Sequence, residues 1–293
     1  MRMVRPFEER RDVLKSSRAI RTHQPELEFL TEKARWVRDE IIEVAVKNGA
    51  GHIAPSLSCS DILVALYYGV MNYRHSDPLW PQRDRLIISK AHGAYGVFPI
   101  LADLGVIPPE EWKGFYTDSS TLTGCIERRP EYGLEAGCGS LGHGLPLAVG
   151  AAFGARLRGE SWHTYCLLGD GEMQEGTTWE AVQFAVKHEL SNLTMVVDNN
   201  RLQAMDFTER IMNIHADDLV RRMRGFGLDP VDCPGHDLGA LVTVLSELKQ
   251  IDSDKPGVVN AITVKGYGLK CMENIPKFHF RIPTQAELDM GRR

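Results

Sequence analysis

The residues best suited to chemistry lie at the ends of two apolar runs. Asp170 sits inside Gly169-Asp170-Gly171, directly after the β-type run Thr164–Leu168, and Asn200 closes Asp198-Asn199-Asn200 after a second run, Leu193–Val197. Between them Trp179, Val182, Phe184, Ala185 and His188 recur at roughly helical spacing, so the unit reads strand, helix, strand. Parallel strands joined by a helix bring their C-terminal ends to one edge of a sheet, which puts the Asp170 carboxylate beside the Asn200 amide oxygen. Gly171 lets backbone N–H groups approach an anion at a helix N-terminus. Hard oxygens beside an anion cradle suit magnesium, or another divalent cation, holding a diphosphate, because such an ion fills its shell with phosphate oxygens and water. A lone Gly-Asp-Gly is usually an ordinary turn; the separation of 200 − 170 = 30 positions to Asn200 makes the pair informative.

Two histidines add acid–base groups. His52 falls in a predicted loop, 49–58, and His92 in Lys90-Ala91-His92-Gly93, the loop after a predicted core strand, Asp84–Ser89. In a parallel sheet His92 therefore shares the edge of Asp170. A long stretch, 117–144, is rich in Gly, Ser and Thr and ends in Gly137-Cys138-Gly139-Ser140-Leu141-Gly142-His143-Gly144. Loops of that length inside a compact domain usually serve function or are disordered, and these glycines permit close backbone approach to a ligand.

The positioning elements follow from periodicity. An amphipathic helix is predicted over 27–47, ended by Asn48-Gly49, and a second, buried helix is capped by Ser60-Asp61 and runs to Tyr73. The small-residue helix 145–157 reads as buried. Further on come a short helix over 217–225, a strand over 229–233, a helix from His236-Asp237 to about Gln250, a strand over 257–264, and a loop-like end with a short helix from Thr284. The predicted fold class is α/β, a mostly parallel sheet flanked by helices. Residues 1–25 are charge-rich and read as an N-terminal extension, leaving 26–293 as one domain.

With 43% hydrophobic and 25% charged residues, the composition is that of an ordinary globular chain. A net charge of −5 offers no basic field for nucleic acid. No run approaches the ~20 apolar residues of a membrane helix and no signal-peptide core is visible, so no membrane partner and a cytoplasmic location are expected. The six cysteines lack CxxC pairing, which argues for reduced thiols rather than zinc or disulfides.

The wording GDGEMQEG…WEA…DNN resembles the thiamine-diphosphate motif of the transketolase family, and the likeness extends over most of the chain from about residue 30. It implies that Asp170, the Asn200 side chain and the Leu202 main-chain oxygen bind the metal, and that Gly171, Glu172 and Asn200 contact thiamine diphosphate. NGAGHIAPSLSCSDIL resembles the family's first histidine motif, which puts His52 near the substrate or the thiazolium; ISKAHGAYG is similar to the second, with His92 on the diphosphate. GSLGHG resembles the glycine-rich loop, with Gly139, Ser140 and Leu141 against the cofactor. KGYGLKCMENIPKFH resembles the closing motif and makes His279 a cofactor-side histidine, although Phe278 and Phe280 depart from the pattern. Proton transfer falls to His52, His92 and His279, and Glu175 with Glu180 match carboxylates that couple two sites across a dimer. His143 and His236 read as structural.

The family usually writes Gly-His-Pro-Asp where this chain has Gly124-Cys125-Ile126-Glu127, so Cys125 replaces a substrate-contacting histidine and leaves the sugar open. The resemblance implies an N-terminal subunit of a two-subunit enzyme. It would transfer a two-carbon ketol unit from a ketose donor to an aldose acceptor through a thiamine-diphosphate carbanion. The implied partner is a C-terminal transketolase-like subunit carrying the pyrimidine-binding domain, in an α2β2 assembly. Another thiamine-diphosphate-dependent C–C bond-forming or decarboxylating reaction, or a non-catalytic cofactor-binding scaffold, are the alternatives. A Rossmann-type binder lacks its GxGxxG.

Overall fold

The computed structural model describes residues 24–212 and 216–292, so most of the expected extension, 1–25, lies outside the described residues. Five strands form one sheet: β1 (Arg85–Ile88), β2 (Thr164–Gly169), β3 (Leu193–Asn199), β4 (Val231–Pro234) and β5 (Gly257–Ile262). Their order is β1-β2-β3-β5-β4 and every pairing is parallel, as the α/β reading requires. The strands β2 and β3 are buried along their whole length, which explains their continuous apolar sequences.

The helices are α1 (Gln24–Asn48), α2 (Ile53–Val64), α3 (Ala94–Asp103), α4 (Pro109–Lys113), α5 (Gly144–Arg158), α6 (Gly176–Lys187), α7 (Thr208–Met212), α8 (Ala216–Gly225), α9 (Leu238–Gln250) and α10 (Gln285–Leu288). Asp237 caps α9 by accepting from Ala240 N–H at 2.9 Å, and Thr284 with Glu287 forms a capping box on α10.

Two helices differ from expectation. The second helix starts at Ile53, not Ser60, because Pro55 occupies its first turn, where the missing N–H costs nothing. Ser60 and Asp61 are buried inside it rather than capping it, and Asp61 pairs with Arg38 and with His236 Nδ1 at 2.7 Å. The helix continues as a π-turn, Ala65–Val70. That 18-residue stretch, Ile53–Val70, is long and apolar enough to cross a membrane, contrary to the sequence reading, but 83% of it is buried inside the fold. The other departure is α5, which is not buried all round: Leu147 and Leu157 are 46% and 73% exposed.

Four neighbouring strands end along one edge of the sheet: β1 into Ser89-Lys90, β2 into Asp170, β3 into Asn200 and β5 into Thr263-Lys265. The N-terminus of α2, with His52 as its N-cap residue, comes to the same edge.

Candidate active site

The strand ends that carry Asp170 and Asn200 lie side by side, as their spacing predicts. Asp170 accepts from Gly171 N–H through Oδ1 at 2.7 Å and from Arg201 N–H through Oδ2, which ties the end of β2 to the end of β3. Asn200 Oδ1 accepts from Leu202 N–H at 2.9 Å, and the Leu202 carbonyl accepts from Lys265 Nζ at 3.2 Å. Burial, and next the Asp198 carboxylate, push Asp170 up to about 7. A doubly charged cation at Asp170 would oppose both effects.

His52, His92 and His279 form one cluster. Ring centroids are 5.9 Å apart for His52–His92 and 5.3 Å for both His52–His279 and His92–His279. Burial, then the ammonium groups of Lys265 and Lys90, lowers His52 to about 4; burial, then Lys265, lowers His279 to about 3. His92 lies well below the usual range, through burial and then Lys90. All three are neutral imidazoles at pH 7, able both to accept and to donate a hydrogen bond. The turn that presents His52 has a steric requirement: Gly51 sits at φ +130°, and a Cβ there would lie 1.8 Å from the Tyr95 hydroxyl, which itself donates to the Ala50 carbonyl.

The glycine-rich loop is held from beneath by Glu172. Its side chain is turned into the protein, which leaves its main chain for the expected cofactor contact: Oε1 accepts from Gly142 N–H at 2.7 Å and from Ser89 Oγ, and Oε2 from Gly169 N–H at 3.2 Å. Three donors converging on a buried carboxylate make it a fastener of the loop. Gly144 packs directly on Ser89, where a Cβ would come within 2.4 Å, while a Cβ at Gly139 would meet nothing within 4 Å. Gly139 and Ser140 are exposed and Leu141 is half-buried, so the front of the loop faces outward. Glu175 is the exposed N-cap residue of α6, packed on Gly142, and the structure does not bring it to the histidines. His236 is structural as expected: its Nε2 accepts from Val264 N–H at 2.9 Å.

Cys125 is half-buried beside Tyr116, and burial pushes its thiol up. Tyr116 stacks on Tyr95 at 5.9 Å, so Cys125 connects to the His52 turn through two aromatic rings.

Several site residues escaped sequence reasoning. Lys265 Nζ donates to the carbonyls of Gln203 at 2.8 Å and Leu202, and lies 3.0 Å from His279 Nδ1. Burial, then Lys90, lowers it to about 7. Lys90, buried, pairs with the buried Asp198. Lysines ending two predicted strands were the available signal. Phe280, met only as a departure from a motif, lays its ring against His52 with centroids 4.7 Å apart.

These residues fit a divalent cation and a diphosphate. Carboxylate, amide and carbonyl oxygens stand beside two lysines. Among the described residues His52 Nδ1 and Gln203 Nε2 are buried without a protein partner, and Gln203 lies against Gly171. Open space borders Gly139.

The family model for the transketolase thiamine diphosphate binding domain matches residues 31–288. The chain belongs to the transketolase family. It is a thiamine diphosphate-binding chain of transketolase type. An apulose-4-phosphate transketolase subunit of Actinobacillus succinogenes is 38% identical to it over 264 residues, covering 89% of this chain and 94% of that one. A 6-deoxy-6-sulfo-D-fructose transketolase subunit of a Clostridium species is 32% identical over 244 residues, covering 83% and 88%. The transketolase of Campylobacter jejuni superimposes with a TM-score of 0.80 at 26% identity, over 89% of this chain and 42% of that one.

Proposed function

We propose that this chain is the N-terminal subunit of a two-subunit, transketolase-like transferase that moves a two-carbon ketol unit from a ketose donor to an aldose acceptor. The observation that carries this reading is the convergence of His52, His92 and His279 with Lys265 and the Asp170, Asn200 and Leu202 oxygens on one sheet edge. Asp170, Asn200 and Leu202 would hold Mg2+; Gly171, His92 and Lys265 would take the diphosphate. When bound, thiamine diphosphate supplies the carbon nucleophile and the electron sink. The chain's own part is to orient it and to place neutral imidazoles where they can donate to a developing alkoxide or take a hydroxyl proton.

The partner in this reading carries the pyrimidine-binding domain, and two such pairs make an α2β2 assembly. Support for the assembly comes from the apolar groups that α5 and α6 leave outside, Leu147, Leu157 and Phe184. The substrates are small sugars. The two relatives named for apulose 4-phosphate and sulfofructose support an anionic, specialised ketose, and Cys125 in place of the usual histidine leaves open which one.

The test is co-purification with a companion of pyrimidine-domain type and assay of ketol transfer over a panel of phosphorylated, sulfonated and neutral ketoses. Transfer by the pair and none by the chain alone is expected. Full activity of the isolated chain would overturn the two-subunit reading, and Asp170→Ala leaving magnesium-dependent cofactor binding unchanged would overturn the metal assignment.

A further inference from the structure

The Asn200 side chain has two nearly isosteric ends, and only its oxygen can ligate a cation. What decides which end faces the site is a buried chain of hydrogen bonds behind it. Asn200 Nδ2 donates to Ser58 Oγ at 3.0 Å, with Asp198 Oδ2 further off at 3.5 Å. Ser58 has one hydroxyl proton, which it gives to Asp198 Oδ1 at 2.7 Å, with Thr263 Oγ1 a second acceptor at 3.2 Å, so in either case its oxygen is left to accept from Asn200. Thr263 Oγ1 donates to the same Asp198 oxygen, and Lys90 Nζ pairs with the other. Ser58, Asp198 and Lys90 are all 0–1% exposed. An ammonium only donates and a carboxylate only accepts, so every bond in the chain has one possible direction.

We propose that Lys90, Asp198 and Ser58 form a positioning relay that fixes the Asn200 amide with its oxygen toward the metal. This rests on the reading that Asp170, Asn200 and Leu202 hold Mg2+. Leu202 N–H, at 2.9 Å from Asn200 Oδ1, favours the same orientation and is reinforced by the relay. Lys90 has a second hold, on the Pro55 carbonyl at 3.1 Å, three residues past His52. The relay thus also anchors the helix start that presents His52.

Asp198→Asn separates orientation from bulk. Lys90 would keep the amide oxygen of the new side chain, turning its NH2 toward Ser58. Ser58 would then accept from position 198 and donate toward Asn200, drawing Oδ1 inward and presenting Nδ2 to the cation. The experiment uses the assembled two-subunit complex and measures, by calorimetry, thiamine diphosphate affinity with Mg2+, alongside thermal melting. Asp198→Asn is expected to weaken cofactor binding by about tenfold or more, the range seen for residues that orient metal ligands, with a cooperative melt retained. Adding Asn200→Asp is expected to restore most of the affinity, because a carboxylate presents oxygen in either orientation. Adding Lys90→Met instead, which rebalances charge, is expected to restore none. If Asp198→Asn does not fold, Ser58→Ala reads the same relay, with a several-fold loss expected.

Unchanged affinity in Asp198→Asn or Ser58→Ala would overturn the relay alone, and so would recovery by Lys90→Met. Wild-type complex that binds no thiamine diphosphate with Mg2+ would overturn the functional reading and the relay together.

Discussion

Lys265 Nζ lies 3.0 Å from His279 Nδ1, at the centre of the site. Lys265 is lowered to about 7, and in its ammonium form it can only donate, so in that form Nδ1 of the neutral His279 ring is the acceptor and the proton sits on Nε2. Lys265 also holds the Leu202 and Gln203 carbonyls, so one side chain links the end of β5, the end of β3 and the His279 turn.

A buried ammonium that is bonded mostly to neutral groups costs the free protein stability and repays it only when an anion arrives. Lys265→Met is therefore expected to leave the cofactor-free melting temperature unchanged or raised. The same change should weaken magnesium-dependent thiamine diphosphate binding about 10- to 150-fold, the equivalent of one charge-assisted bond worth ~1.5–3 kcal/mol. Calorimetry on the two-subunit complex and melting of the cofactor-free chain read the two effects; a parallel fall in both would assign Lys265 to the fold.

The pH dependence of the cofactor-free chain follows from the depressed histidines. His52 and His279, near 4 and 3 when folded, bind fewer protons than the unfolded chain between those values and the ordinary histidine value of 6.5. Stability is present above 6.5 and falls as pH drops through that window, by at most about 1.4 kcal/mol per group per pH unit. Asp170, raised to about 7, works the other way, since its folded form binds the extra proton below 7. His92 and the buried His163 are lowered as well and act in the same sense, so the rings outweigh the one carboxyl and urea midpoints should drop between pH 7 and pH 5. In His52→Gln the drop should shrink, and an unchanged slope would show that the His52 ring is protonated in the fold.

The strand–turn–helix unit around Asp170 was legible because period and turn chemistry agree over 164–200, and the sheet edge follows from parallel topology alone. The start of α2 was not. Gly49, Gly51 and Pro55 read as a loop, and a proline in a first helical turn is indistinguishable by composition from one in a connection. Lys90, Asp198 and Lys265 were not singled out as site residues for another reason. Charged side chains default to the surface, and only the fold shows that these three are buried. Glu172 illustrates the limit of motif transfer: a motif names the residue, and only the fold shows that its carboxylate is taken up in holding the loop.

That fastening is testable. In Glu172→Gln an NH2 would confront at least one of the N–H donors of Gly142 and Gly169 or the Ser89 hydroxyl. The expected cost is ~1–3 kcal/mol of unfolding free energy, the penalty for an unsatisfied buried donor. Urea denaturation of the cofactor-free chain measures it, and a stability within error of wild type would mean that the loop is held by other contacts.

The two ends of the same loop should respond oppositely to an added methyl. A Cβ at Gly144 would lie 2.4 Å from Ser89 Cβ and 2.5 Å from its Cα, so Gly144→Ala should cost ~1–3 kcal/mol by overpacking. Gly139→Ala meets nothing within 4 Å and should melt like wild type while weakening cofactor binding, if the open side of the loop is where the ligand lies. Wild-type affinity in Gly139→Ala would move the cofactor contact elsewhere on the loop.

Substrate choice should depend on Cys125, which reaches the His52 turn through Tyr116 and Tyr95, and on Phe280, which packs on His52; both depart from the family pattern. A thiol held protonated by burial is a weak donor, and restoring a ring nitrogen by Cys125→His supplies a polar partner worth ~1–3 kcal/mol to a substrate oxygen. Phe280 is 48% exposed and packs edge-on against His52, so Phe280→Ala should cost ~0.5–1.5 kcal/mol of ring packing and free the imidazole. In the two-subunit enzyme, Cys125→His is expected to shift the kcat/KM ratio between ketose donors about 5- to 150-fold, while Phe280→Ala lowers kcat for every donor by a smaller factor. The distinction is physical: a group touching the variable part of the sugar discriminates among donors, and a group steadying the shared histidine does not. Equal losses across donors in Cys125→His would place Cys125 outside the substrate contact and return specificity to the partner subunit.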